Sequence, residues 1–457
     1  MSLKFLAAMA VVMAFVGIEA TLSSGAEITK TRPTCDKVAS PFGSNSYAGT
    51  VAKPYATVEK LAGSLTKGQT GCLRGGIYQR DVEITRGGTF SAPITITSFP
   101  GEQATVLGRL HVADTANNVA IQELTLDGRN GDNLPSPTVN GDNAAFRDND
   151  VTNRHTSICF LLGSREYGRA KGTVIERNRI HNCGLLPPTN HHHGIYIEAS
   201  DGARIIDNWI YDNADRGIQM FPDAQRSYIA RNVLDGNGQN VVFSRTSANN
   251  VVENNVISNS IVRYNIEDFD LVGAGNVVRR NCLWSTRHPG NAAGILPGIH
   301  VGLVDNLATD PGYVNRAAKD YRLLPGSPCL NLSTAPPPQP KKPAKKRKRP
   351  LRLHATRRVV RPGGRVRLVG QLWPDSIEGA PKRATLKVSR GGRWLQVATM
   401  RLRDSTYTAS VSLRKLDARK YRRFGVARLP RGARTLRLRA FVVAGPSNIV
   451  IVRAAVR

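Results

Sequence analysis

A short phrase built around asparagine recurs seven times in this 457-residue chain and constrains its fold more than any other feature. Each copy is followed within two residues by an apolar side chain, and the steps between copies are 29, 30, 24, 23, 26 and 25 residues. The members are Asn149, Asn178, Asn208, Asn232, Asn255, Asn281 and Asn306. A period in the twenties, rich in β-forming and turn residues, predicts a solenoid of short strands. The 3.6-residue apolar period of helical repeats is absent.

Alternation within the repeats predicts which side chains face inward. In 194–198, Ile195 and Ile197 fall on one face of a strand while Tyr196 and Glu198 fall on the other. One coil cannot bury its own apolar face, so successive coils should stack at roughly 4.8 Å. We expect the repeated asparagine at a turn that needs the left-handed conformation, with its amide bonded along the stack at about 1 kcal/mol per bond.

On these repeats, residues 35–332 resemble the extracellular right-handed parallel β-helix proteins, a group that includes pectate lyases and alginate-modifying enzymes. Three other stretches look similar to that group: 53–61 as a short helix that caps the first coil, 71–78 as the first strand, and 320–328 as the closing coil. The resemblance implies an all-β, right-handed parallel β-helix. It says little about activity, because one fold hosts many chemistries.

The start of the chain predicts export. Lys4 precedes an apolar run over residues 5–16, and small residues follow from Ala20 to Ala26. This pattern is typical of a secretory signal peptide, with cleavage near Ala20 or Ala26, so residues 1–26 are assigned to it. The run is short for a membrane span, and no later stretch reaches its length. The mature protein is therefore expected to be secreted, in solution or held at a cell surface.

Six cysteines in an exported chain predict disulfides. Their order suggests the pairs Cys35–Cys72, Cys159–Cys183 and Cys282–Cys329, each joining parts that are near in sequence. Other pairings, and buried free thiols, remain open from the sequence. No Cys-x-x-Cys spacing indicates zinc.

The net charge of +30 is concentrated in the last third of the chain. Residues 333–457 hold 33 Lys/Arg and 4 Asp/Glu, whereas the remainder holds 31 and 30. A proline-rich spacer and a basic run, 335–340 and 341–349, mark the boundary. We therefore divide the mature chain into a β-helix (27–332), a linker (333–350) and a basic domain (351–457). Behind a signal peptide, the charge favours an acidic polysaccharide, an anionic cell-wall polymer or lipid head groups over nucleic acid.

Alternating apolar and basic residues over 365–368, 385–388 and 436–439 predict a small basic β-sandwich. This stretch looks like the Ig-like accessory domains that end many secreted bacterial proteins. Its arginines fall on one face of several strands, which predicts a positive surface. A merely solvated face is the alternative, although the preference for arginine, which binds carboxylate and phosphate in a bidentate manner, favours binding.

The richest polar cluster begins at residues 190–198, after an insertion in the repeat. Insertions between strands build clefts on a solenoid face. A step of 23 residues predicts three outward columns and places His193 beside Arg216. The columns are His192 with Asp215; Tyr196 with Gln219, Val242 and Asn265; and Glu198 with Phe221, Ser244 and Glu267.

Such a face suits an acidic sugar chain. Lyase chemistry on a uronate needs the carboxylate neutralised, a base for the α-proton and an acid for the leaving oxygen. We assign the catalytic roles to Arg216, which would neutralise the carboxylate, and to His192, His193 and Tyr196, which would move protons. Substrate-binding roles are assigned to Glu198, Asp215, Gln219 and Asn265.

Two further expectations concern acid–base chemistry. Asp215 should orient His192 and raise its pKa if the two side chains pair. Glycoside hydrolysis instead needs two carboxyls about 5–9.5 Å apart. Glu198 and Glu267 are expected three coils apart, about 14 Å at strand spacing, which is too far. A hydrolase would instead need Glu198 with Asp201, Asp212 or Asp215, and the sequence leaves those pairs open.

Several alternatives stay open from the sequence. The triple histidine (191–193) can be a hydrogen-bonded turn, and a metal role is disfavoured because adjacent strand residues face opposite sides. No calcium motif supports a cofactor, so none is expected. The chain also lacks the paired Asp with Arg-x-Lys of polygalacturonases and the Asp-Pro-His of alginate epimerases. A lyase or epimerase therefore competes with a non-catalytic adhesion protein whose solenoid is a ligand platform and whose basic domain anchors it to the wall.

Overall fold

The computed structural model describes residues 34–330 and 332 with their side chains, and the backbone of the strands between 351 and 454. The predicted signal peptide (1–26) and linker (333–350) lie outside the described residues. The domain boundaries drawn from the sequence therefore stay a prediction.

Residues 37–308 form a parallel β-solenoid with three sheets, which confirms the predicted all-β solenoid. Sheet 1 contains Lys37–Ala39, Thr70–Leu73, Ile94–Ser98, Val119–Gln122, Ala145–Arg147, Val174–Glu176, Arg204–Ile206, Tyr228–Ala230, Val251–Glu253, Val277–Arg279 and Gly302–Val304. Sheet 2 contains Gly76–Gln79, Ala104–Leu107, Thr125–Asp127, Asp150–Thr152, Arg179–His181, Trp209–Tyr211, Val233–Asp235, Val256–Ser258, Cys282–Trp284 and Leu307–Ala308. Sheet 3 contains Val82–Ile84, Leu110–Val112, Thr138–Val139, Phe160–Leu162, Ala170–Lys171, Ile195–Asp201, Arg216–Gln225, Gln239–Arg245 and Ile266–Val272.

A continuous apolar core fills the space between the three sheets. The inward prediction for Ile195 and Ile197 is confirmed, because both are fully buried in this core beside Ile218 and Met220 of the next coil. A typical coil contributes one short strand to each of the three sheets, so no coil completes a core alone. Stacking therefore provides the burial that holds the fold.

The repeated asparagines form one ladder along the turn between sheets 1 and 2, as predicted. From Asn149 to Asn281, the Nδ2 of each donates to the Oδ1 of the next at 2.9–3.0 Å. The same Oδ1 also accepts the backbone N–H of the preceding ladder residue. Since these amides are largely buried, the bonds hold successive coils in one register.

The expected reason for the asparagine was wrong in one respect. The left-handed conformation belongs to the residue before each ladder position, such as Arg177 (φ 54°), Asp207 (φ 58°) and Arg231 (φ 55°). The asparagine is selected by its hydrogen bonds to the next coil rather than by its backbone conformation.

A helix at Val58–Ser64 packs Val58, Leu61 and Ala62 into the first coil. It begins later than the predicted 53–61 because Thr57 is its N-cap, whose side chain accepts from the Lys60 N–H at 3.2 Å. The first strand was also misplaced: Lys37–Ala39 precedes the expected strand at 71–78 and pairs in parallel with Thr70–Leu73.

The predicted closing coil over 320–328 is instead a hairpin. Asp320–Leu323 pairs antiparallel with Tyr313–Asn315, and Tyr321 packs on Trp209 and Tyr211 at the outer surface of sheet 2. The suggested disulfides are all present, and Cys282–Cys329 ties the residues after this hairpin to the solenoid. The short aromatic-rich segment is more stable covering sheet 2 than extending the stack, because it buries its tyrosines there.

The strands of the C-terminal part join in a mainly antiparallel sheet. Their bounds are Leu351–Ala355, Val359–Val360, Arg365–Leu372, Arg383–Arg390, Arg393–Arg403, Thr406–Ser412, Thr435–Val442, Gly445–Pro446 and Val450–Ala454. Alternation of apolar and basic residues explains these strands. The finer prediction of an Ig-like sandwich stays a prediction.

Candidate functional site

The outer surface of sheet 1 carries charges that neutralise one another. Arg147 donates to Glu176 at 3.0 Å across neighbouring coils. Glu253 accepts from Arg279 at 2.6 Å and from the Tyr228 hydroxyl at 2.7 Å. These ion pairs and hydrogen bonds explain the charged side chains named here without a ligand.

The outer surface of sheet 2 is covered over its later coils by the C-terminal hairpin. Buried Asp235 accepts from Arg316 Nε at 2.8 Å, and the Tyr313 hydroxyl lies 2.8 Å from Ser258 Oγ. Sheet 3 has the longest strands of the solenoid, and it carries the predicted polar cluster.

Register across sheet 3 partly confirms the predicted columns. Tyr196 pairs with Gln219 and Gln219 with Val242, as expected. Val242 then pairs with Glu267 rather than Asn265, because the last step is 25 residues instead of 23. A register shift after Ile197 also breaks the column that begins at Glu198.

Asn265 consequently does not lie in the outward column. Its amide is fully buried: it accepts from Asn240 Nδ2 at 2.8 Å and donates to two backbone carbonyls at 2.9 Å. The residue belongs to a second asparagine ladder, between sheets 2 and 3, where Asn213 bonds Asn237 and Asn237 bonds Asn240. The expectation that it faces the substrate was wrong for this reason.

Asp215 holds the inserted turn through backbone amides. Its carboxylate accepts the N–H groups of Asn190, His191 and His192 at 2.8–2.9 Å. The Thr189 hydroxyl lies 3.4 Å from the same carboxylate and 2.8 Å from His192 Nδ1. We call residues 189–192, together with these bonds, the histidine turn. Buried Asp215 thus orders the turn as a charged acceptor for three donors.

The predicted neighbours His192 and Asp215 are close, but their relation differs from expectation. Asp215 bonds the backbone of His192, not its ring. Burial lowers the pKa of His192, and the Asp215 charge only partly opposes that effect. The pairing of side chains on which the expected rise depended is not formed, and removal from water outweighs the attraction of the carboxylate.

His193 and Arg216 lie side by side, as predicted, beneath the histidine turn. Arg216 donates from its two terminal nitrogens to the backbone oxygen and Oδ1 of Asn190, at 2.9 and 2.6 Å. His193 is only 3% exposed, and burial together with the Arg216 cation holds its pKa well below the usual value. Burial also lowers the pKa of Arg216.

An aromatic surface adjoins these residues. The rings of Tyr196 and Phe221 stack at 6.4 Å with an interplanar angle of 13°, and His193 meets Tyr196 edge-on at 5.3 Å. Burial, assisted by the Glu198 charge, raises the pKa of Tyr196, so its phenol stays protonated at neutral pH. Flat aromatic faces of this kind can contact the apolar side of a sugar ring.

Two carboxylates flank this surface. Glu267, 1% exposed, accepts from Arg263 at 2.9 Å, and burial raises its pKa against that cation. Burial likewise raises the pKa of Glu198, opposed by Arg165. The Arg263 side chain is half exposed, so its guanidinium can contact a second anion while it pairs with Glu267.

Buried polar atoms without a hydrogen-bond partner concentrate here. Of thirteen such atoms in the described residues, four lie in strands of sheet 3 and a fifth belongs to His193, two residues before the strand that begins at Ile195. They are His193 Nδ1, Arg216 Nε, Gln219 Oε1, Ser244 Oγ and Glu267 Oε2. Each such group costs about 1–3 kcal/mol, and a cluster of them is more typical of a binding site than of a structural surface.

Sequence reasoning missed several residues of this site. Arg263 and Arg165 come from turns, and the sequence assigned neither of them to the site, although the step of 23 residues reaches Arg263. Asn190 and Thr189 were recognisable only as part of the insertion, and Glu267 was assigned to the wrong column. Among the described residues, no group of three His, Cys, Asp or Glu side chains is placed to hold a metal ion. No helix within them is long and apolar enough to span a membrane.

Comparison with known proteins agrees with the fold. Residues 137–290 match the family described as "Right handed beta helix region". Pectate lyase PEL9 of Emericella nidulans is 36% identical over 75 residues, which is 16% of this chain and 18% of that protein. The chain therefore aligns with under a fifth of the length of this curated relative.

Solved structures with a similar course of the chain include several carbohydrate-active proteins. Pectate lyase Pel9A has a TM-score of 0.46 at 14% identity over 63% of this chain and 85% of its own. A rhamnogalacturonan lyase has a TM-score of 0.40 at 13% identity over 62% and 92%. The GH136 lacto-N-biosidase of Eubacterium ramulus has a TM-score of 0.37 at 10% identity over 59% and 67%. At these scores they bear on no detail of the site.

Proposed function

We propose that this protein binds an acidic polysaccharide along the outer surface of sheet 3 and cleaves or epimerises it by lyase-type chemistry. One observation carries the proposal: five of the thirteen buried polar atoms without a hydrogen-bond partner in the described residues lie in or just before the strands of sheet 3, together with six side chains whose pKa is shifted. Perturbed ionisable groups beside an aromatic surface are typical of active sites. The short match to a pectate lyase is consistent with this substrate class.

Each step of an elimination has a candidate residue. His192 is the proposed base: its pKa is lowered, so the imidazole is neutral at neutral pH and can take the proton next to the sugar carboxylate. The electron pair of the broken carbon–hydrogen bond forms the carbon–carbon double bond as the bond between carbon and the leaving sugar oxygen breaks. Tyr196, whose raised pKa keeps it protonated, donates a proton to that oxygen.

The sugar carboxylate needs a cation while the proton leaves. Arg263 fits this role because its side chain is half exposed, whereas Arg216 is buried with both terminal nitrogens on Asn190. We therefore propose Arg216 as a positioning residue of the histidine turn. Its predicted role in neutralising the substrate would require that Asn190 be displaced. Gln219 and Glu198 remain proposed substrate contacts.

Hydrolysis by Glu198 and Glu267 is disfavoured. Glu267 lies in the Tyr196 column three coils away, roughly 14 Å at strand spacing. Two hydrolytic carboxyls must lie about 5–9.5 Å apart. The geometry thus supports lyase-type chemistry over hydrolysis by this pair.

The proposal includes the setting of the protein. Three disulfides are consistent with an oxidising, extracellular compartment. We propose that residues 1–26 are removed on export, that 27–332 form the catalytic solenoid, and that 333–350 link it to the basic domain at 351–457.

The test is product formation from polygalacturonate, alginate and hyaluronate, followed by the ultraviolet absorbance of the unsaturated sugar and, for epimerisation, by NMR of the polymer. His192→Ala and Tyr196→Phe should each lower turnover at least about 100-fold, the lower range for a lost acid or base. The matched control is His181→Ala, a histidine of sheet 2, which should keep wild-type turnover. If none of the acidic glycans yields an unsaturated product or an epimerised polymer, the enzymatic proposal is overturned. Glycan binding that survives both substitutions would favour the adhesion alternative.

A further inference from the structure

Cross-strand register places the basic residues of the C-terminal sheet on one face. Directly paired residues share a face, and so do alternate residues of one strand. The pairs run from Arg352 with Gln371, through Arg383 with Arg401, to Thr435 with Arg453. Ten basic residues fall on the same face by this register: Arg352, Arg365, Arg367, Arg383, Lys387, Arg401, Arg403, Arg437, Arg439 and Arg453.

The opposite face takes most of the apolar positions of the same strands, although Val369, Phe441 and Ile451 share the basic face. Leu351, Val366, Leu386 and Leu438 are typical of those on the opposite face. Only Arg390 and Arg393, paired at a hairpin end, are basic residues of the described strands on that second face. The four acidic residues after position 332 lie outside the described strands. A solvated protein face usually mixes both signs of charge, and this one does not.

Like charges also stand directly opposite each other across strands. Arg383 pairs with Arg401, and Lys387 pairs with Arg439. Such pairs destabilise a sheet, so they are poorly explained by folding alone. An anion bound over the face would relieve the repulsion, and the arrangement is therefore more readily explained by a polyanionic ligand.

We propose that this basic face binds a carboxylate-bearing polysaccharide, an inference that rests on the proposed function of the solenoid. Nine of the ten basic residues are arginine, whose planar fork suits carboxylates. Neighbouring positions repeat at roughly 4.8 Å across strands and 6.8 Å along them, which suits a polymer with regularly repeated charges. A second site on the same chain would retain the polymer near sheet 3 at a millimolar-order effective concentration.

The experiment uses the full chain and two matched double variants. Arg437→Gln with Arg439→Gln removes two charges from the basic face, and Arg390→Gln with Arg393→Gln removes the same charge from the other face of the same sheet. The probes are polygalacturonate, neutral dextran, double-stranded DNA and vesicles of phosphatidylglycerol with phosphatidylcholine. Binding is measured at low and high salt, and folding by circular dichroism and thermal unfolding.

The wild type should bind polygalacturonate in a salt-sensitive manner and should not bind dextran. The variant of the basic face should bind at least about tenfold more weakly, because each lost arginine removes charge-assisted bonds to the carboxylates of the polymer. The variant of the opposite face should bind within about twofold of wild type. Polygalacturonate should also raise the melting temperature of the wild type more than that of the basic-face variant.

Equal weakening by the two variants would overturn the inference, since net charge alone would then explain binding. Tighter binding to DNA or to vesicles than to polygalacturonate would overturn it in favour of that partner. Product formation on short oligosaccharides separates the two proposals. Binding by the basic face without any product removes only the enzymatic proposal, whereas product with unaltered binding by the basic-face variant removes only this inference.

Discussion

At the scale of single residues, one amide side chain sets the register of the solenoid. Asn232 accepts the N–H and the Nδ2 of Asn208 at 2.9 Å each, and donates to Ile205 O and Asn255 Oδ1 at 2.8 and 3.0 Å. No smaller or apolar side chain can both accept and donate these hydrogen bonds at this position. A repeated asparagine is therefore a direct consequence of buried backbone groups that need partners in every coil.

Asn232→Ala should lower the free energy of unfolding by about 3 kcal/mol, because it leaves the buried N–H of Asn208 without its partner and removes the amide bonds to Ile205 O and Asn255 Oδ1. Urea unfolding followed by circular dichroism measures the loss. Asn306→Ala is the matched control at the end of the ladder, where partial exposure lets water replace the bonds, so its loss should be smaller. Equal losses at both positions would contradict the ladder as the source of the stability.

His193 should make stability fall in acid. Burial and Arg216 hold its folded pKa well below the unfolded value of about 6.5. Above that pH the His193 ring is neutral in both the folded and the unfolded state, so its titration does not change the free energy of unfolding. Below it the unfolded chain gains a proton that the folded chain refuses, and the free energy of unfolding falls by up to about 1.4 kcal/mol per pH unit until the folded pKa is reached.

His193→Gln removes this titration, so wild type should lose more stability than the variant between about pH 7 and about pH 5.5. Urea unfolding at both pH values measures the difference. His192 and Glu267 titrate in both proteins and cancel in the comparison. Parallel slopes for wild type and His193→Gln would show that His193 is not the group responsible.

At the scale of elements, the histidine turn depends on a single carboxylate from the next coil. The disulfide Cys159–Cys183 lies at the start of this insertion, Asp215 binds its amides, and Arg216 binds Asn190. The turn in its present form covers His193. Loss of Asp215 should therefore disturb the site without unravelling the coils, whose stacking rests on the core and the ladders.

Asp215→Ala should accelerate hydrogen exchange of the amides of Asn190, His191 and His192 by about 10- to 100-fold, as expected for lost bonds of about 1.5–3 kcal/mol. Exchange monitored by NMR or mass spectrometry of the peptide over the turn measures this. The control is Asp36→Ala, an aspartate that accepts the Thr70 N–H at 2.8 Å in the first coil. Protection of the histidine turn that survives Asp215→Ala would show that other contacts order it.

At the scale of the whole chain, charge divides the protein into two parts of different character. The solenoid part is nearly neutral, and the residues after 332 carry almost the entire excess of +30. Brief trypsin digestion should first cut the basic run over 341–349 and release a near-neutral fragment that retains the circular dichroism of a β-solenoid. Mass spectrometry of the fragments checks the cut. First cleavage within 34–330 would contradict the proposed domain boundary.

Sequence alone determined the period, the inward face and the asparagine ladder, because each repeats locally in every coil. The suggested cysteine pairs also agreed with the structure, since each joins parts that are near in sequence. Such features follow from patterns that every copy reinforces.

Tertiary structure decided the rest. A step of 25 rather than 23 residues moved Asn265 into a buried ladder and Glu267 into the outward column. Asp215 binds the backbone of His192 rather than its ring, so burial sets the direction of the pKa shift of His192, and packing on sheet 2 turned the expected closing coil into a hairpin. These outcomes depend on distances between coils and on exclusion of water, which arise only when distant segments come together.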